Sequence, residues 1–262
     1  MTRLLSGVAL AVAALTAILF LPLPALRVIA CLVAALGAYE YLGIVDQERR
    51  ALNVLPVLIL VMLACWWFSD PGGQGSPSGA SLLLLLLLGV GWGAFEVVVR
   101  GFEVDRARAR LLAPWYIGMP LGMLAAVQMV GGRMATLLLI ATVIVSDSAQ
   151  FYSGRLFGRR PLAPTISPKK TIEGAVGGLV VATIFIAVAG PWVFPETRSG
   201  SLALVGVAIV VLGICGDLFE SRLKRRAGVK DSSALIPGHG GVLDRIDALL
   251  FAAPAYYVYL QS

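Results

Sequence analysis

Polar residues in this chain come at intervals, and the stretches between them are apolar without alternation. Nine such runs can be counted, near residues 4–22, 25–45, 53–69, 80–99, 112–130, 134–152, 172–190, 202–221 and 243–260. A helix of about 20 apolar residues is long enough to cross the hydrocarbon core of a bilayer. Leu82–Leu88 is an unbroken row of seven leucines, which a water-facing helix with one polar side does not carry. Strands of a membrane barrel alternate over about ten residues, and these runs do not. The pattern predicts an all-α, polytopic integral membrane protein with about nine transmembrane helices. The first run follows a single Arg3 and meets the second at Pro22 and Pro24. It therefore reads as a retained helix rather than a cleaved signal.

Charge placement orients the helices. With a cytoplasmic N-terminus, seventeen of the 21 Lys and Arg residues fall in cytoplasmic segments, while Arg27, Arg133 and Arg198 fall on the other side and Arg245 opens the last run. Cytoplasmic loops of membrane proteins concentrate Lys and Arg, so the split supports both the span count and the orientation. Composition then excludes the other classes. Of the 262 residues 58% are hydrophobic and 14% charged, and the mean hydropathy is +0.87. A soluble domain carries about 25% charged residues, and a disordered chain needs low hydrophobicity and high net charge. The net charge of +6 is accounted for by topology, anionic headgroups and phosphate binding, and no nucleic-acid partner is expected. Cys31, Cys65 and Cys215 lie inside apolar runs without CxxC spacing and read as small core residues.

Two regions differ in chemical content. Residues 1–130 form N-terminal helices that serve as scaffold and as candidate dimer contacts, with an external turn at Asp70–Gly79. Glu40 and Glu96 close the second and fourth runs, as interfacial anchors or as members of a polar cavity. Tyr116, Ile117 and Gly118 followed by Pro120 predict a kink. Residues 131–262 form the catalytic region, with cytoplasmic loops at 153–171 and 222–242. Around these two basic loops stand Asp147, Glu173, Asp217, Glu220, Asp244 and Asp247. Acids at membrane depth are costly and face a cavity, a cation or a transport path.

Asp244 and Asp247 are three apart, as are Asp217 and Glu220, so each pair shares a helix face. Lys224 lies four residues beyond Glu220, the spacing of a helix-surface pair. Asp217, Asp244 and Asp247 can converge from two antiparallel helices. Carboxylates without Cys or His among them suit a hard cation such as Mg²⁺, which shares its coordination with substrate phosphates. Ser167-Pro168-Lys169-Lys170-Thr171 precedes the seventh run with Thr171 as candidate N-cap, and a helix start with lysines beside it is a natural anion site. In Ile236-Pro237-Gly238-His239-Gly240-Gly241, glycines permit close backbone approach and the imidazole can donate to a phosphate. Basic loops, carboxylates and membrane depth together point to phosphoryl or nucleotidyl transfer onto a lipid, in which the protein positions groups and neutralises charge. No GxxxxGK[ST] loop is present. An ion-coupled transporter is the alternative outside enzymology, though the two halves show no inverted repeat.

The segment SRLKRRAGVKDSSALIPGHGGVLDRID, Ser221 to Asp247, resembles the signature of the phosphatidate cytidylyltransferases (CDP-diacylglycerol synthases) at every fixed position of its 27 residues. The block Asp147 to Gly174, with Gly154, Gly158 and the Ser-Pro-Lys-Lys-Thr-Ile-Glu-Gly run, is similar to a second block of that family; Gln150 replaces a commonly small residue. The resemblance covers residues 145–262, and the N-terminal helices match only in general character, Ala38-Tyr39-Glu40-Tyr41 included. It implies transfer of a cytidylyl group from CTP to phosphatidic acid, giving CDP-diacylglycerol and pyrophosphate with Mg²⁺, the first committed step of phospholipid synthesis. A related transferase acting on another lipid phosphate or a polyprenol stays open. It further implies a homodimer in the inner (cytoplasmic) membrane with its active site facing the cytoplasm; whether a monovalent cation such as K⁺ joins Mg²⁺ stays open. On this basis Asp217, Asp244 and Asp247 bind metal. Lys170, Lys224, Arg225 and Lys230 hold phosphates, Ser167 and Thr171 add donors, and His239 touches a phosphate. Asp231 orders its loop by pairing with a base, and Asp147 and Glu173 line the cavity.

Overall fold

The computed structural model describes residues 2–46, 51–70, 104–236, 238 and 240–261. The apolar run at 80–99, with Leu82–Leu88 and Glu96, lies outside the described residues, as does His239. Each of the other eight runs is a helix or a helix arm. The elements are α1 (Thr2–Phe20), α2 (Leu23–Val45), α3 (Ala51–Phe68), α4 (Val104–Ala113), a π-helical turn (Pro114–Gly118) and α5 (Met119–Phe157). There follow a short hairpin of β1 (Pro161–Ala163) and β2 (Ser167–Thr171), then α6 (Ile172–Ala189), α7 (Ser199–Arg226) and α8 (Leu243–Gln261). Four helical stretches among the described residues are long and apolar enough to cross a membrane: Leu23–Val45, Ala107–Phe157, Ile172–Trp192 and Ser199–Arg226.

The Ala107–Phe157 stretch contains two of the sequence-read runs. It is broken at Gly132, whose φ of 79° and ψ of −179° are open to glycine and strained for other residues. The kink expected near Tyr116 is a π-helical turn, where one residue is inserted into the helical ladder. Pro114 and Pro120 each lack an amide donor within this stretch.

Packing is inside-out relative to a soluble bundle. Val176, Val180, Ile184 and Val188 of α6 and Leu204 and Val211 of α7 face outward, while Ala34, Ala38, Ala113, Ala135 and Ala182 are buried. Small residues bring membrane helices into close contact. A Cβ placed on Gly174 would lie 2.8 Å from the Gln150 carbonyl oxygen and 3.2 Å from the Gly154 Cα, so α5 and α6 touch almost backbone to backbone. The neighbouring contact of Gly178 with Gln150 and Ser146 shows that the two helices run antiparallel. Gly190 against Leu202 and Gly206 against Thr183 set the same relation between α6 and α7. Lys224 with Asp244 and Gly213 with Ala248 set it between α7 and α8.

The polar loops are shorter than the sequence reading drew them. α5 runs on to Phe157 and α7 to Arg226, so Arg155, Arg222, Lys224, Arg225 and Arg226 stand on helices. Cys31 and Cys65 are buried as expected, but Cys215 is exposed because it points away from the packed face of α7.

Candidate active site

The second strand of the hairpin leads directly into α6. Thr171 caps that helix, its Oγ1 accepting from the Gly174 amide at 3.1 Å. Glu173 does not line a cavity, contrary to expectation. Its Oε2 accepts from the Arg159 and Arg160 amides at 3.0 and 3.2 Å, anchoring the segment that leads into β1. Lys170 is the next-to-last residue of β2, beside the start of α6, where the helix dipole favours an anion.

A cavity of about 690 Å³ opens between α5, the hairpin, α6, α7 and α8. Its wall brings together Asp147, Lys170, Thr171, Asp217, Lys224, Asp244 and Asp247 of the sequence-read set. Gln150, Arg155, Lys169, Asp231 and Arg245 complete the charged and amide lining. Two lysine–aspartate pairs dominate it. The Lys170 ammonium pairs with Asp217 Oδ2, and both side chains remain partly open to solvent. The Lys224 ammonium donates to Asp244 Oδ1 at 2.6 Å and lies 3.1 Å from Glu220 Oε2. Glu220 is fully buried, so its link to Lys224 is an internal ion pair and not the surface pair that the spacing implied. A buried charge without a counterion is costly, which ties Lys224 to this spot. Asp147 Oδ1 accepts from Gln150 Nε2 at 3.3 Å, and Asp217 Oδ1 from Ser221 Oγ at 3.2 Å.

Asp244 is the most heavily bonded acid of the set. Besides Lys224, it accepts from the Ser232 amide at 3.0 Å, the Ser232 hydroxyl at 2.8 Å and the Gly241 amide at 2.7 Å. Among the described residues, these bonds rather than an ion pair of Asp231 order the loop. The turn is closed by the Ile236 amide donating to the Gly240 carbonyl at 2.9 Å. Gly240 has φ +81°, and a Cβ there would meet Asp244 Oδ2 at 2.5 Å; a Cβ on Gly241 would fall onto Ser232 Oγ and Glu40 Oε2. The paired glycines therefore let the backbone approach two carboxylates at once.

One of those carboxylates was left ambiguous by the sequence. Glu40, near the end of α2, is 4% exposed. Its Oε1 accepts from Ser233 Oγ at 2.6 Å and the Val242 amide at 3.0 Å. Its Oε2 accepts from the Leu243 amide at 2.7 Å and lies 3.0 Å from Ser232 Oγ, whose one proton it shares with Asp244 Oδ2. Glu40 thus belongs to the polar interior, where it caps α8 from another helix. The signal was an acid inside an otherwise apolar run; its partners, some 200 positions away, left no local trace. Ser167 lies half-buried in β2 and Lys230 is exposed on the loop. Arg225 turns to the Ile166 and Val229 carbonyls at 3.3 and 3.4 Å. These three flank the cavity rather than line it.

A family model described as the cytidylyltransferase family matches residues 1–262. The chain belongs to the cytidylyltransferase family. Phosphatidate cytidylyltransferase of Bacillus subtilis (strain 168) is 34% identical over 98% of this chain and 96% of the relative. The enzyme of the same name from Haemophilus influenzae is 48% identical over 47% of the chain and 45% of the relative. An uncharacterized protein, YnbB, of Escherichia coli (strain K12) is 42% identical over 53% of the chain and 46% of the relative. The chain thus spans about half the length of the Haemophilus and Escherichia relatives and nearly all of the Bacillus one.

For a cytidylyltransferase the cavity has suitable chemistry: cations for phosphates, and carboxylate oxygens for a hard ion. Among the described residues no group of three acids, cysteines or histidines is close enough to form a metal cage. The donor set fits Mg²⁺ on different terms, since that ion is commonly held by one or two carboxylates plus substrate phosphates.

Proposed function

We propose that this cytidylyltransferase converts CTP and phosphatidic acid to CDP-diacylglycerol and pyrophosphate, the first committed step of phospholipid synthesis. The observation that carries the reading is the cavity in which Lys170 and Lys224 sit on Asp217 and Asp244. An oxygen of the lipid phosphate attacks the α-phosphorus of CTP. The bond from that phosphorus to the bridging oxygen breaks, and pyrophosphate leaves with the electron pair. The nucleophile is already an anion, so alignment and charge neutralisation matter more than a general base.

The chain's own residues divide that work. Lys170 and Thr171, beside the start of α6, receive phosphate oxygens, with Arg155, Lys169 and Arg245 on the same wall. Lys224 turns from Asp244 toward the triphosphate while Glu220 keeps its charge balanced. Asp217, Asp244 and Asp247 are the candidates to hold Mg²⁺, one or two of them at a time together with phosphate oxygens. When bound, Mg²⁺ offsets the negative charge that develops on the leaving pyrophosphate. A monovalent cation such as K⁺ is a second candidate occupant of this acid-rich wall. His239, within the glycine-rich sequence segment 236–241, is assigned to a phosphate, and Ser167, Arg225 and Lys230 to guiding substrates inward.

The full topology belongs to the same proposal: about nine spans, a cytoplasmic N-terminus and a cavity facing the cytoplasm from the inner membrane. Arg155, Arg159, Arg160, Lys169, Lys170, Arg222 and Lys224 to Arg226 flank the cavity, whereas Arg27, Arg133 and Arg198 stand at the opposite end. This bias supports that orientation. A homodimer is assigned to the N-terminal helices, supported by the outward apolar face of α1 at Val8, Val12 and Leu15. The test is incubation of the purified protein with phosphatidate vesicles, Mg²⁺ and each of CTP, dCTP, ATP, UTP and GTP, followed by lipid analysis. CDP-diacylglycerol from CTP is expected; a different lipid product, or none, refutes the reading.

A further inference from the structure

We infer that Glu40 is a positioning residue that sets Asp244 through Ser232. The inference rests on the proposed reaction, because it assigns Asp244 a part in it. Ser232 Oγ lies between the two acids, 3.0 Å from Glu40 Oε2 and 2.8 Å from Asp244 Oδ2. The same Glu40 carboxylate takes the Val242 and Leu243 amides, which begin the helix that carries Asp244. Glu40 therefore fixes Asp244 twice, once through the helix start and once through the serine. Groups that orient a ligating or catalytic side chain commonly contribute about 10–100-fold to activity.

Ser233 makes the contrast available. Its hydroxyl meets Glu40 Oε1 at 2.6 Å and is not bonded to Asp244. Ser232→Ala and Ser233→Ala each remove one hydroxyl from the same carboxylate, but only the first interrupts the route to Asp244. Glu40→Gln replaces one acceptor oxygen by an NH₂ group, which then faces either the Val242 or the Leu243 amide, donor against donor.

The experiment measures kcat and KM for CTP and phosphatidate, with thermal unfolding and amide hydrogen exchange, for these three variants and Glu40→Gln/Ser232→Ala. Ser232→Ala is expected to lower kcat about 10-fold with KM for phosphatidate unchanged, and Ser233→Ala to stay within about twofold despite a similar change in melting temperature. Glu40→Gln is expected to lower kcat about 10–100-fold, and the double variant to be no worse than Glu40→Gln, as for residues acting in series. Exchange at the Ser232 and Gly241 amides, which donate to Asp244, speeds up in Glu40→Gln and Ser232→Ala alone. Equal kcat losses for the two serine variants, or losses that multiply in the double variant, overturn the inference. If Glu40→Gln does not insert, Glu40→Asp, which keeps the charge but withdraws the carboxylate from Ser232 and the α8 start, takes its place in the same measurements with the same expected result. If the unaltered protein makes no CDP-diacylglycerol, the proposed reaction fails, and the exchange data still show whether Glu40 holds Asp244.

Discussion

The two ends of the helix bundle use the same residue types for opposite purposes. At the end away from the cavity, Arg27 closes a small cluster: Nε donates to Ser69 Oγ at 2.8 Å, an Nη to Asp70 at 3.0 Å, and the guanidinium lies 4.2 Å from the Trp66 ring centre. Every donor direction meets an acceptor on α3 or just beyond it, so the cluster fastens α2 to α3. At the cavity end, Lys170 and Lys224 are shared among Asp217, Asp244 and Glu220, while Asp147 and Asp247 face the same space. Five acids and five basic residues around a space large enough for a ligand, only some of them joined in pairs, mark a site built to take charged groups from outside. Ion pairs at membrane depth therefore do not by themselves indicate function. Charged groups of both signs crowded around an opening do.

Substitutions can break this contrast. Asp247→Asn, at the acid-rich end, is expected to reduce kcat by about 10²–10³-fold while leaving the melting temperature near that of the parent, measured on the same detergent-purified sample. Next comes Arg110→Ala. Arg110 pairs with Asp46 at 3% and 1% exposure, and removing one partner of a buried pair costs about 3–5 kcal/mol. Stability should fall by that order in chemical denaturation, with activity per folded molecule retained. Gly241→Ala pushes a methyl toward Ser232 and Glu40, an overpacking worth about 1–3 kcal/mol. Its kcat should fall further than its stability implies, because the displaced groups hold Asp244. Arg27→Ala is the mildest: a partly covered ion pair at the end of the bundle is worth about 1 kcal/mol, and turnover should be unchanged. Loss of turnover in Arg27→Ala with no loss in Asp247→Asn would invert the comparison.

Much of this was legible because membrane helices write themselves as long apolar runs, and Gly132 punctuates two of them. The Thr171 cap followed from a hydroxyl before an apolar stretch, and the gathering of Asp217, Asp244 and Asp247 on one cavity wall from the facing of two antiparallel helices. The hairpin at 161–171 was not legible, since strands of three and five residues are too short to show a period. Glu173 was misplaced because a helix-start acid can serve a cavity or a neighbouring backbone equally well, and only the path of residues 158–160 decides. Glu40 was left between two roles, because its four donors come from a loop and helix start encoded at the far end of the chain.

The most direct test is pyrophosphate release and CDP-diacylglycerol formation by the purified protein with CTP, Mg²⁺ and phosphatidate vesicles, run beside Asp217→Asn. Both products in equal amounts, with the variant producing neither above background, is the predicted result. Turnover in Asp217→Asn equal to the parent, or no CDP-diacylglycerol from the parent protein, would contradict the central claim that this cavity performs cytidylyl transfer.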